Sequence, residues 1–160
     1  MKKTRFIAHA AIIAAVYATL TVAVYPLSYG TVQVRFAEAL TFLAALTPAA
    51  VPGLFVGCLI ANIYTGSLID IIFGSLTTLA AALASYKLRK NPWLVPLPPI
   101  LFNALIVGYY LTLQYGGKTI FNMLSVGAGQ LAACYAVPLY FIINYKKTTE
   151  RLAPYVQYHS

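Results

Sequence analysis

The chain has 160 residues, 61% of them hydrophobic and 9% charged, with a formal net charge of +8 and a mean hydropathy of +0.77. A water-soluble domain of this size stays in solution through a charged surface, so the composition excludes one and leaves lipid to solvate most of the exterior. The eleven Lys and Arg residues sit at the chain ends and in short gaps between apolar runs, which fits anionic lipid and orientation in a bilayer rather than a nucleic acid partner.

The first apolar run covers residues 6–25. Met1 to Arg5 looks like the charged start of a leader, but the run is about 20 residues long with no convincing cleavage site, so a retained span is expected. Ala8, Ala10, Ala11, Ala14, Ala15 and Ala18 form overlapping Ala-x-x-x-Ala pairs. Two adjacent small faces let one helix pack inside the protein and leave room for an external partner. His9, among these alanines, reads as interfacial packing.

The second run, residues 36–64, would make one helix of roughly 43 Å, well beyond a hydrocarbon core of about 30 Å. Pro48, Pro52 and Gly53 lie in its middle. Proline removes a backbone donor and clashes with the preceding turn, so the spacing predicts two short helices, 36–47 and 51–64, meeting in a tight bend. Three more runs follow at 67–86, 93–115 and 119–145, then a short, charged, partly disordered tail. One membrane domain is expected to fill residues 1–160.

Loop charges test the split. With six spans and a cytoplasmic N-terminus, the inside holds Lys2, Lys3, Arg5, Lys87, Arg89, Lys90, Lys146, Lys147 and Arg151, nine against Arg35 and Lys118 outside. With five spans the inside keeps only Lys2, Lys3, Arg5 and Lys118, four against seven. The expectation is an all-α integral membrane protein with six transmembrane helices and both termini cytoplasmic.

Polar side chains inside spans are costly, and here they gather toward the predicted outer half. Arg35 and Glu38 open the second helix, Asn62 closes the third, Asp70 opens the fourth, Gln114 closes the fifth, and Asn122 and Gln130 lie early in the sixth. Asn103, Tyr110 and Gln114, seven and four apart, share a face of the fifth helix. Each has a plainer reading: Arg35 and Glu38 as an interfacial i, i+3 ion pair, Ser67 with Asp70 and Thr119 with Asn122 as capping boxes, Asn62, Asn103 and Gln130 as interhelical hydrogen bonds. The tyrosines at span ends form an aromatic belt, with Tyr29, Tyr64 and Tyr110 candidates to face a cavity. Cys58 and Cys134 lie in apolar segments without CxxC or Cys/His spacing and read as packing residues. His-Glu-x-x-His, Gly-x-Ser-x-Gly and Gly-x-x-x-x-Gly-Lys are all missing from the sequence, so no enzyme is expected and any ATP must be used by a partner chain.

An ordered set of motifs then carries a resemblance. Residues 32–40 (VQVRFAEAL), 47–58 (TPAAVPGLFVGC), Asn62, 70–79 (DIIFGSLTTL), 96–99 (PLPP) with Asn103, and 125–129 (SVGAG) together resemble the QueT family. That family comprises substrate-binding S-components of bacterial energy-coupling factor (ECF) importers for queuosine precursors. The resemblance implies the six-helix S-component fold, a location in the bacterial cytoplasmic membrane, a membrane coupling protein and two ATPases as partners, and no cofactor in this chain. It also implies that Ala10, Ala11, Ala14, Ala15 and Ala18 dock on the coupling protein. One position departs: after Gly127-Ala128-Gly129 the family often carries an acidic residue, and this chain has Gln130.

A 7-deazaguanine base presents two N–H donors on its pairing edge, a carbonyl oxygen and a flat ring, with an aminomethyl or cyano substituent. Glu38 is expected to accept the ring N–H groups, Asn62, Asn122 or Arg35 to donate to the carbonyl, and Asp70 to hold an ammonium. The expected substrate site is thus Glu38, Asp70, Arg35, Asn62, Asn103, Asn122, Gln130 and Tyr110. Alternative readings are an S-component for another vitamin, such as a flavin or pyridoxine-like compound, and a stand-alone secondary transporter or channel coupled through Glu38 and Asp70.

Overall fold

The computed structural model describes residues 3–28, 35–65 and 67–156, with no strand among the described residues. Helix α1 spans Lys3–Ala23, a one-turn α2 spans Tyr25–Ser28, a 3-10 helix spans Phe36–Ala45, and α3 spans Ala50–Thr65. The break between the last two falls at the prolines, as the spacing predicts: Pro48 sits in the gap, and Pro52 lies in the first turn of α3, where a missing N–H has no intrahelical partner to lose.

The 3-10 form of the first half was not foreseen. At about 2.0 Å per residue its ten residues reach roughly 20 Å, further than an α-helix of equal length. Three residues per turn also sort its faces, because side chains at i and i+3 eclipse. Glu38, Thr41 and Ala44 form one fully buried column, while Leu40, Leu43 and Leu46 form a half-buried one.

A π turn, Asp70–Gly74, runs into α4, Ser75–Lys87. Helices α5 (Leu97–Phe102) and α6 (Gly108–Tyr115) flank a second π turn, Asn103–Val107, and α7 (Thr119–Leu131) runs into a third, Ala132–Ala136. Pro98 and Pro99 occupy the first turn of α5, where proline is tolerated, so the fifth helix starts at Leu97 rather than at residue 93. Gly116 and Gly117, at φ 78° and 92°, make the left-handed turn between α6 and α7. The final run is not one rod. Pro138 interrupts it before α8 (Leu139–Ile143), and the tail expected to be partly disordered is helix α9, Tyr145–Val156.

Among the described residues, two helical stretches are long and apolar enough by themselves to cross a membrane, Lys3–Ala23 and Leu97–Tyr115; Phe36–Ala45 and Ala50–Tyr64 are shorter apolar helices. The exterior is strongly apolar, with Ile7, Ile63, Leu113, Ile120, Phe121 and Leu124 each more than half exposed. The interior is built largely of alanine and polar side chains. That inversion suits a lipid-solvated helical body, in which small residues bring helices close and amides and hydroxyls bond across them.

The ends of three helical segments meet at Tyr145. The Tyr145 hydroxyl donates to Ala45 O (3.2 Å) and to Arg89 O (2.9 Å), gathering the end of the 3-10 helix, the loop after α4 and the start of α9.

Helix α1 packs tightly on α3. A Cβ at Gly53 would stand 2.8 Å from Ala10 O, and one at Gly57 2.7 Å from Ala14 O. Ala14 is buried and Ala10 half-buried against these glycines, so both of these expected docking residues pack against α3 within the chain. Ala11 and Ala15 are exposed and Ala18 is half-buried on the neighbouring face.

Candidate functional site

Six elements bring their polar side chains to one buried centre. Glu38, fully buried in the 3-10 helix, accepts from Tyr17 Oη of α1 (2.6 Å), from Thr41 Oγ1 one 3-10 turn on (3.2 Å), and from Thr78 Oγ1 of α4 (3.2 Å). Thr78 also contacts Cys58 Sγ at 3.3 Å, and Asn62 Nδ2 reaches the same sulfur at 3.4 Å. Asn62 Nδ2 further donates to Asp70 O (2.7 Å) and Ser75 Oγ (3.1 Å), pinning the end of α3 to the π turn. Asp70 Oδ1 accepts from Tyr110 Oη of α6 at 2.6 Å and lies 3.4 Å from Arg35 Nη2.

The local backbone explains the choice of ion partner. Arg35 precedes the helix with extended geometry (φ −88°, ψ 93°), so its side chain is off the column that holds Glu38 and crosses to Asp70. The expected i, i+3 pair of Arg35 with Glu38 is therefore corrected to Arg35 with Asp70, which is the one ion pair among the described residues. Arg35 is only 1% exposed and belongs to the interior, not to an outer loop. Ser67 does accept from Asp70 N at 3.3 Å, so the first half of the predicted capping box forms, while the Asp70 carboxylate turns to Arg35 and Tyr110.

The remaining candidates divide. Asn103 and Gln130 are each 1% exposed. Asn103 Nδ2 donates to Pro99 O (2.8 Å), and its Oδ1 is buried with no hydrogen-bond partner. Gln130 Oε1 lies 3.7 Å from Cys134 Sγ. Asn122 stands apart: its Nδ2 donates to Thr112 Oγ1 (3.0 Å) and Gly116 O (3.1 Å), fastening α7 to the end of α6. Gln114 donates only to neighbouring Tyr115, Tyr64 is 71% exposed as a belt residue would be, and Tyr29 lies outside the described residues, as do residues 32–34 of the first motif.

Sequence reasoning missed Tyr17, Thr41, Thr78 and Ser75. Hydroxyls are ordinary in apolar helices, and only the eclipsed spacing of Thr41 from Glu38 carried a signal, legible once a 3-10 helix is known. The centre offers two carboxyl groups, one guanidinium, amides and phenols, all buried. Such a set can hold a small polar molecule with several N–H and C=O groups, and no group of three or more His, Cys, Asp and Glu suited to a metal ion occurs among the described residues.

Comparison with known proteins adds the following. The family model described as QueT transporter matches residues 7–147. The chain is similar to the queuosine precursor transporter QueT of Lactococcus lactis subsp. cremoris (strain MG1363), 37% identical over 79 residues, which is 48% of this chain and 47% of that protein. The match thus spans about half the length of the relative. No solved structure matches.

Proposed function

The chain belongs to the QueT transporter family, a family of transporters and not of enzymes, and on that premise we propose that it is the substrate-binding S-component of an ECF importer. Its substrate is a queuosine precursor, 7-aminomethyl- or 7-cyano-7-deazaguanine, captured at the extracellular side of the bacterial cytoplasmic membrane. The observation that carries the reading is the polar network sealed inside an apolar-surfaced helical body: Arg35, Glu38, Asn62, Asp70 and Tyr110 are each at most 5% exposed. The similarity to the queuosine precursor transporter of L. lactis supports the substrate class.

In this reading the chain crosses the bilayer six times with both termini cytoplasmic. The loop-charge bias and the meeting of Ala45, Arg89 and Tyr145 support it. ATP is hydrolysed by two partner ATPases, and the coupling protein docks on the small face of exposed Ala11 and Ala15 and half-buried Ala18. This chain carries no cofactor of its own.

The geometry revises the division of labour between the carboxylates. Asp70 already faces the Arg35 guanidinium, so a ligand cation there meets like charge at close range, worth about 4 kcal/mol at 4 Å and an effective dielectric of about 20. Glu38 is met by three hydroxyls, which a ligand's N–H groups can replace. Glu38 is therefore the acceptor for the ring edge or the ammonium. Arg35, Asn62, Asn103 and Gln130 bind the base alongside it, Tyr110 supplies an aromatic face, and Asn122 braces α6 and α7.

Calorimetric titration of the purified chain with both precursors, riboflavin, thiamine and biotin tests this. Saturable binding of a 7-deazaguanine base, lost in Glu38→Gln, is expected. Binding of another vitamin alone reassigns the cargo, and uptake by the chain alone in liposomes under an ion gradient overturns the S-component reading.

A further inference from the structure

At the opposite end of the molecule lies a cleft of about 490 Å³ between the loop after α4 and the α8–α9 junction. Its lining includes Lys90, Trp93, Asn144, Tyr145, Lys146 and Lys147, with no carboxylate. The chain has only three acidic residues, and two of them, Glu38 and Asp70, are buried in the polar centre. The third, Glu150, makes no ion pair among the described residues. Three lysines thus line one cavity, and no ion pair among the described residues neutralises them.

The walls are held in place. Tyr145 is anchored through its hydroxyl to Ala45 O and Arg89 O and packs edge-on against Phe42, with ring centroids 6.1 Å apart. Trp93 O accepts from Tyr135 Oη at 2.7 Å, and Trp93 N donates to Asn91 Oδ1 at 3.2 Å. Asn144, where the chain turns from α8 into α9, has its amide tied to Tyr140 O. The cleft is therefore preorganised and does not depend on side chains finding one another.

We propose that this cleft binds the phosphate headgroup of an anionic phospholipid. The cleft lies where the apolar girdle gives way to the basic end. Ile143, 64% exposed, lines it beside the lysines, and Trp93, 51% exposed, offers an amphipathic ring of the kind that settles at headgroup level. A lipid satisfies both halves, placing its phosphate among the ammonium groups and its glycerol and upper chains against Trp93 and Ile143. An acidic peptide would use only the charges. The proposal is independent of what the transport site carries.

Trp93 is the sole tryptophan, so its emission reports on the cleft directly. The purified full chain in neutral detergent is titrated with short-chain phosphatidylglycerol, short-chain phosphatidylcholine, inorganic phosphate and a tetraglutamate peptide. A saturable emission change with phosphatidylglycerol is expected, with half-saturation raised roughly fivefold for each of Lys90→Gln, Lys146→Gln and Lys147→Gln. Lys87→Gln and Arg151→Gln remove charges of the same sign outside the lining and are expected to leave it within twofold. Equal response to phosphatidylcholine, tighter response to phosphate or peptide than to phosphatidylglycerol, or equal loss in lining and non-lining variants would each overturn the proposal.

Discussion

Removing the Arg35 side chain is the most direct probe of the buried centre. At 3.4 Å and an effective dielectric of about 20, its attraction to Asp70 is about 5 kcal/mol before desolvation is charged against it. In Arg35→Leu, Asp70 stays 4% exposed in the wild-type geometry and keeps the hydrogen bond from Tyr110 Oη, and breaking a buried pair from one side costs about 3–5 kcal/mol. In Arg35→Leu/Asp70→Leu no lone charge is left, and the net cost returns to within about 1 kcal/mol of wild type. Cys58 and Cys134 are free and buried at 1% and 2%, so thiol labelling during equilibrium unfolding in mixed micelles reads the folded fraction. A single variant costing under about 1 kcal/mol, or a double variant no more stable than the single, would refute the account of the network.

Tyr110→Phe removes a 2.6 Å donor to Asp70 and is expected to cost about 1.5–3 kcal/mol, measured by the same labelling. Gly57→Ala puts a methyl 2.7 Å from the backbone of Ala14 and 2.8 Å from Tyr17 Cβ; the expected loss is about 1–3 kcal/mol although alanine favours helix, since neither neighbour is the far end of a flexible chain. Ala14→Leu is expected to destabilise the chain in isolation through the same contact. Ala15→Leu, on the exposed face, should change stability by less than about 0.5 kcal/mol, and the proposed S-component role predicts that it abolishes co-purification with a coupling protein and ATPases.

Much of the site was legible as a list of residues and little of it as a geometry. Arg35, Glu38, Asn62, Asp70 and Tyr110 stand out because polar groups are conspicuous in apolar runs, and the structure gathers those five. Asn122 stands out equally and serves a different junction, because its position in the first turn of α7 puts it beside Thr112. Tyr17, Thr41 and Thr78 were invisible because a hydroxyl in a helix commits to nothing until a carboxylate is packed against it.

By itself, the sequence determined that the chain is strongly apolar with few charges, that prolines break the second apolar run, and that the family is QueT. Composition, backbone chemistry and ordered motifs are local and survive without coordinates. Tertiary structure alone decided the pairing of Arg35 with Asp70 across 35 residues, the commitment of Ala14 to α3, and the union of Lys90 with Lys146 and Lys147 at one cleft. Each depends on the rotation and register of one helix against another. Those are set by where Gly53 and Gly57 admit a backbone and where a 3-10 turn redirects a side chain, and no periodicity in the chain encodes them.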